Sequence, residues 1–285
     1  MAPRAGWPAP AKLNLFLHVT GRREDGYHLL QTVFQFLDYG DTLYFTPRED
    51  DQVRRLSEMP GVEAERDLTV RAARALQRAS GCRQGVDIRV DKRLPTGGGL
   101  GGGSSDAATT LVALNRLWGL GLDVDTLARI GLTLGADVPV FVHGHAAWAE
   151  GVGEHLRPVM LPEPWFLVLI PPVSVSTAGV FAARELTRDC PPITIRDFLR
   201  AADAGFGDGR IGNVCEPLVR QRHPEVDAVF EWLDRKARAR ARMTGTGACL
   251  FAPFEDEQGA RRLLAQAPCA GFVARGLNRS PLLEA

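Results

Sequence analysis

Residues 95–108 read Pro95-Thr-Gly-Gly-Gly-Leu-Gly-Gly-Gly-Ser-Ser-Asp-Ala-Ala108. Six of the seven positions from Gly97 to Gly103 are glycine. Inside a strand or helix each glycine costs roughly 0.5–1 kcal/mol against alanine, and an ordinary turn needs only about one or two. What remains for such a run is close backbone approach to a ligand. Before it, Val86, Ile88, Val90, Lys92 and Leu94 alternate as in a strand; after it, Leu111, Leu114 and Trp118 fall at helical spacing. A strand, a glycine loop, Ser104-Ser105 and a helix, in that order, aim loop amides and a helix N-terminus at one point, which makes a phosphate site. Ser104 or Ser105 is the candidate cap of that helix, and a free hydroxyl there suits phosphate or a metal ion.

Three known phosphate motifs compete for the segment. The Walker A pattern fails because the chain has no Gly-Lys dipeptide. The dinucleotide pattern GxGxxG matches at Gly97, Gly99 and Gly102, with an acid, Asp123, about 20 residues on. That acid should end a second apolar strand, whereas Asp123 follows Trp118-Gly-Leu-Gly-Leu122, a helix end. The protein-kinase glycine loop fails for want of HRD and DFG elements.

Outward from the loop, Ala11 to Val19 alternates as a strand, and Thr32–Leu37 and Asp41–Thr46 read as two more. Asp67 is a plausible N-cap for a helix with Leu68, Ala72, Ala75, Leu76 and Ala79 on one face. A short helix from Asp125 to Leu134 leads into Gly135-Ala-Asp-Val-Pro139, where Asp137 is offered to a cleft and Pro139 restricts Val138. Gly144 and Gly151-Val-Gly153 break a hairpin-like piece. Pro158 to Pro164 is the best boundary, and beyond it strands near 166–170 and 271–275 alternate with helices near 177–187, 194–203, 224–237 and 255–266.

The chain has 285 residues, enough for about two domains. Its 34 basic residues balance 34 acidic ones, which argues against coating nucleic acid or a membrane surface. The basic run Arg235–Arg242 therefore reads as a solvated helix end rather than an RNA site. No apolar stretch approaches the ~20 residues of a membrane span. Five scattered cysteines without ligand spacing suggest reduced thiols and a cytoplasmic setting. His143-Gly-His145 lacks a third metal ligand and reads as a surface turn.

The pattern Pro-x-x-x-Gly-Leu-Gly, followed by Gly/Ser, Ser and small residues, resembles the phosphate loop of the GHMP kinases, the superfamily of galactokinase, homoserine kinase and mevalonate kinase. Pro10-Ala-Lys-Leu-Asn-Leu15 is similar to the first motif of that superfamily. Met243-Thr-Gly-Thr-Gly-Ala-Cys-Leu250 is similar to its third, so the resemblance spans nearly the whole chain. Together with Asp25-Gly-Tyr-His28 and Leu134-Gly-Ala-Asp-Val-Pro139, these motifs resemble the branch that phosphorylates a cytidylated methylerythritol in the non-mevalonate isoprenoid pathway.

The resemblance implies a two-domain α+β GHMP kinase fold. Residues 1–157 would form an ATP-binding domain like ribosomal protein S5 domain 2, and residues 158–285 a ferredoxin-like domain, with the site between them. It implies ATP as phosphoryl donor, a small-molecule alcohol as acceptor at its C2 hydroxyl, and Mg²⁺, whose ligands stay open with Ser105 offered as one. Pro95, Thr96, Gly97, Gly98, Gly99, Leu100, Gly101, Gly102, Gly103, Ser104 and Ser105 would bind ATP, with Lys92 and Asp67 on the adenine side; superfamily members often have Asn-Leu where this chain has Asp67-Leu68. Lys12 and Asp137 would act as a catalytic pair. Asn14, Tyr27, His28, Thr177 and Phe181 would bind the substrate, His28 at the Watson–Crick edge of the cytosine and Tyr27 stacking near it. The rival readings are a GHMP kinase for another alcohol and a non-catalytic RNA-associated module; neither nucleic acid nor membrane is expected as a partner, and the oligomeric state is left open.

Overall fold

The computed structural model describes residues 6–24, 26–59, 61–203 and 211–285; Asp25 of the Asp-Gly-Tyr-His motif lies outside them. Two long strands, β1 (Trp7–Arg22) and β2 (His28–Arg48), form the spine of the first half. Sequence alternation suggests two strands where β2 is one. It stays extended through Asp38-Tyr39-Gly40 because β1, β4 (Gly85–Asp91), β5 (Ala147–Glu150) and β10 (Ala270–Leu277) supply ladder partners on either side of that stretch. Short strand β3 (Val53–Arg55) adds the only parallel pair among the described strands, on β4, and β6 (His155–Pro158) closes a hairpin with β5.

Helices α1 (Leu68–Ser80), α2 (Gly102–Leu117), α3 (Val124–Leu132) and α4 (Val138–His143) pack on this sheet around Phe36, Leu76, Ile88, Leu111 and Phe141. Asp67 caps α1 as its position suggests, accepting from the Thr69 amide at 2.7 Å. Asp123 caps α3, accepting from the Thr126 amide, a local task that disposes of the dinucleotide reading.

In the second half, β7 (Trp165–Ile170), β8 (Arg242–Met243), β9 (Leu250–Phe254) and β10 form an antiparallel sheet. The helices here are α5 (Thr177–Ala182), α6 (Ile195–Asp203), α7 (Glu216–Arg222), α8 (Pro224–Lys236) and α9 (Glu257–Leu264). Strand β10 belongs to both sheets: it pairs with β7 along 270–275 and with β2 at Gly276 and Leu277. A third apolar cluster, with Leu13, Phe16, Leu100 and Trp148 from one half and Phe166, Phe198, Phe251 and Phe272 from the other, fills the joint.

The alternation of β1 does not mark one face as solvated. Lys12, Asn14 and His18 are all buried, because β1 is covered on both sides. Ala9 joins the first core, Leu13 the joint and Leu17 the core of the second half.

Candidate active site

The glycine loop runs over the mouth of a cleft of about 570 Å³ between the halves. Helix α2 begins at Gly102, with Gly101 in left-handed backbone geometry (φ +74°) as its N-cap. Ser104 and Ser105 therefore lie inside the first turn and neither caps it, which corrects the sequence reading. The amides of Gly102, Gly103 and Ser104 precede the first helical acceptor and are free to face a ligand. That of Ser105 is already given to the Gly101 carbonyl.

Two of the glycines are required by protein neighbours. A Cβ on Gly99 would lie 2.2 Å from the Thr244 carbonyl oxygen, and one on Gly101 would lie within 3.1 Å of the Phe141 ring and of Lys12 Cε. The second-half segment Met243–Leu250 is thus laid directly on the loop. Thr244 Oγ1 donates to the Gly99 carbonyl at 3.1 Å, and the Cys249 amide donates to that of Gly98 at 3.1 Å. Burial pushes the Cys249 thiol up to about 12, so it packs behind the loop as an inert apolar group.

Strand β1 carries Lys12 to the loop from below. Its ammonium lies 3.2 Å from Asp137 Oδ2, donates to the Gly99 carbonyl at 3.1 Å and to Asn14 Oδ1, and sits 5.4 Å from the Phe34 ring centroid. Asn14 is fixed in turn, its side-chain amide donating to Thr32 Oγ1 and its backbone amide to that of Thr244. Asp137 is a third exposed at the cleft wall. It stands at the N-terminal end of α4 and makes no cap bond with its side chain. The sequence suggests only a break at this point. Pro139 in the first turn starts a helix there, so the carboxylate meets a favourable dipole end.

Lys92, just past β4, donates to Asp41 Oδ2 and, at 2.7 Å, to Asp106 Oδ2. Burial alone would lower its affinity for the proton, but the two carboxylates outweigh it and raise it. Burial, with the Asp41 charge beside it, lifts Asp106 to about 7 against the pull of Lys92. Lys92 lines the cleft with its charge already engaged. Asp67 lines it too, with one oxygen on Thr69 and the other on Arg55 at 2.7 Å. Neither Asp41 nor Asp106 is singled out by the sequence. Met59, Val62 and Arg66 are missed likewise; they reach the cleft from an irregular segment without periodicity.

Pro95 to Ser104, Asn14, Thr177 and Phe181 all line the same cleft. Thr177 Oγ1 meets Thr246 Oγ1 at 2.9 Å. Ser105 does not line it: the side chain is wholly buried, and among the described residues its hydroxyl has no hydrogen-bond partner. Tyr27 is 63% exposed and stands outside the cleft wall. His28 is not among the cleft's lining residues either, but it stacks on Phe181, which is, with ring centroids 5.1 Å apart. Burial, then the Arg188 and Arg22 charges, hold His28 below its ordinary value. The basic run is also broken up. Arg242 is buried, donating to the Leu15 carbonyl across the joint and to the Ile211 carbonyl within its own half.

The family model for the GHMP kinases N terminal domain matches residues 67–145, and that for the GHMP kinases C terminal matches 194–274. A 4-diphosphocytidyl-2-C-methyl-D-erythritol kinase of Nitrosococcus oceani is 58% identical over 280 residues, covering 98% of this chain and 96% of its own. One from Halorhodospira halophila is 60% identical over 281 residues, covering 97% and 94%. A crystal structure of 4-(cytidine 5'-diphospho)-2C-methyl-D-erythritol kinase superposes with a TM-score of 0.81 at 34% identity, over 95% of this chain and 99% of that one. A mevalonate kinase at 15% identity and a TM-score of 0.68 shares the fold. With both halves matched, and relatives alike over nearly their whole length, the chain belongs to the GHMP kinases, in the branch of the 4-diphosphocytidyl-2-C-methyl-D-erythritol kinases.

Proposed function

We propose that this chain transfers the γ-phosphate of ATP to the C2 hydroxyl of 4-diphosphocytidyl-2-C-methyl-D-erythritol. The observation that carries the mechanism is the Lys12–Asp137 pair, 3.2 Å apart beneath the glycine loop. Phosphoryl transfer asks for alignment and charge neutralisation more than for covalent chemistry. The free amides of Gly102, Gly103 and Ser104 hold phosphate oxygens at the helix N-terminus. Asp137 orients the acceptor hydroxyl and takes its proton as the oxygen attacks phosphorus and ADP leaves. Lys12 offsets charge on the transferring group, and Asn14 and Gly99 hold its ammonium in place.

The adenine side is assigned to Met59, Val62, Leu68, Asp67 and Lys92, all of which line the cleft. The cytosine is read at the other end by His28 and Phe181, with Tyr27 closing over it from its exposed position.

Among the described residues no group of three His, Cys, Asp or Glu is arranged to hold a metal ion. The donors present still suit Mg²⁺, which binds through one or two protein oxygens plus substrate phosphates. Ser104 lines the cleft, and Asp106 also lines it and has a buried oxygen, Oδ1, that has no hydrogen-bond partner among the described residues. Ser104 and Asp106 would hold the ion, in place of Ser105. When bound it would neutralise charge on the β- and γ-phosphates.

The test is ADP release measured with a panel of alcohols: the cytidylated methylerythritol, mevalonate, homoserine and galactose. Turnover should be confined to the first. Equal or faster turnover of another alcohol would overturn the assignment.

A further inference from the structure

Arg188 lies in the irregular segment after α5 and belongs to none of the motifs described above. Its half-buried guanidinium makes four hydrogen bonds from its five N–H donors. Nη2 donates to the Phe181 carbonyl at 2.9 Å and the Ala183 carbonyl at 2.6 Å, and Nη1 donates to the Leu186 carbonyl at 2.9 Å. These carbonyls sit at and beyond the end of α5, where helical acceptors are lost. The fourth bond is the informative one: Nε donates to His28 Nε2 at 3.0 Å.

A guanidinium has only donors and does not lose its proton in proteins. His28 Nε2 must therefore present a lone pair, and the imidazole proton sits on Nδ1. The nitrogen left for a ligand is then Nδ1, and it is a donor. Phe181, whose carbonyl the same arginine holds, stacks on that ring. One side chain thus fixes both the orientation of the ring and its tautomer.

We propose that Arg188 is the specificity-determining positioning residue of the base site, locking His28 as an Nδ1–H donor so that the site accepts cytosine and rejects uracil. The argument rests on the reading of His28 as the base-recognising residue. Cytosine N3 is an acceptor and meets an N–H; uracil N3 carries a hydrogen and would set two donors against each other. A buried donor left without its partner weakens binding by about tenfold to a hundredfold. Freed from Arg188, the ring can move its proton to Nε2 and offer uracil an acceptor at Nδ1.

The experiment compares kcat/KM for the cytidine-linked and uridine-linked substrates in the wild type, Arg188→Met, Arg188→Lys and His28→Ala. In parallel, ¹⁵N-histidine spectra of the full chain report which His28 nitrogen is protonated. The wild type should show Nδ1–H and prefer cytidine at least tenfold. Arg188→Met should narrow that preference about tenfold, mainly by gaining uridine turnover, and should show proton density on Nε2. Arg188→Lys keeps one donor and should hold an intermediate preference. A merely structural arginine would lower both substrates together and leave the ratio alone. An unchanged ratio in both arginine variants overturns the proposal, and so does a wild-type spectrum with the proton on Nε2; that spectrum decides the matter even if the variants fold poorly. If His28→Ala leaves the KM for the cytidine substrate unmoved, the base-site reading itself fails. If His28→Ala is impaired and the arginine variants keep the ratio, only the tautomer lock fails.

Discussion

Lys12 is held at three points, by Asn14, Gly99 and Asp137, before any substrate arrives. Such pre-positioning belongs to the transition state more than to the ground state. Asp137→Asn keeps the shape of the side chain and removes its charge, so kcat should fall by ~10²-fold or more while substrate binding survives. Adding Lys12→Ala to Asp137→Asn should cost far less than the product of the single losses, because groups acting as a unit are not additive. Fully multiplicative losses in steady-state kinetics would dissolve the pair. The depressed His28 pKa has its own consequence. A base whose folded value lies below 6.5 costs nothing above that pH. As pH falls through 6.5 the unfolded chain takes up the proton first, and stability drops until the folded ring titrates. The NMR titration of His28 should accordingly have its midpoint below 6.5. At this scale the sequence is informative where a motif names a residue, as with Lys12, Asn14, Asp137 and His28. It is silent on Asp41, Asp106 and Arg188, because long-range folding, and not spacing, brings them to their partners.

The glycine loop separates into positions that serve the protein and positions that serve the ligand. Gly99 and Gly101 are pressed against Thr244, Phe141 and Lys12. Gly103 is different: it is exposed in the first turn of α2, and an added Cβ would touch only Leu68 Cδ1, at 3.2 Å. Gly103→Ala should therefore improve the helix by roughly 0.5–1 kcal/mol while placing a methyl where phosphate approaches. A higher melting temperature with ATP affinity at least tenfold weaker by calorimetry is the expected pair of results; unchanged affinity would take the phosphate off that turn. Element by element, the strand before the loop, the helix after it and the Asp67 cap are all legible, because local pattern and tertiary demand agree. α4 and α7 are not: each is short and opens with a proline in its first turn, which reads as a break. Helix α5 ends at Ala182, well short of the expected 187, since Ala183 turns extended (φ −63°, ψ 134°) and Arg188 collects the freed carbonyls.

Across the whole molecule the cluster at the joint decides how the halves behave. Leu13, Phe16 and Trp148 are buried only against partners that include Phe166, Phe198 and Phe272, so a cut at residue 157 would expose a contiguous apolar face. Scanning calorimetry should show one cooperative transition for the full chain, and residues 1–157 expressed alone should fail to give one. Two resolved transitions would mean that the halves are energetically independent. Arg242 tests the same joint from the polar side. Arg242→Met removes two charge-assisted bonds, to Leu15 and Ile211, and should cost about 2–4 kcal/mol of global stability in denaturant titration.

Strand β10, which belongs to both sheets, also sets an order in time. It is the last of the described strands, yet its Gly276 and Leu277 pair with Leu37 and Phe36 of β2, more than 200 residues earlier. Contacts of such separation are closed late and slowly. At ~5–20 residues per second the ribosome takes roughly a quarter of a minute to a minute to supply the strand. Through that interval the nascent chain holds an open sheet edge on β2, joined by a second on β7 once residues 165–170 are made. Both are unpaired strand edges of the kind that invite misassociation, so the chain passes through a window of exposure that closes only when β10 is available to pair with both.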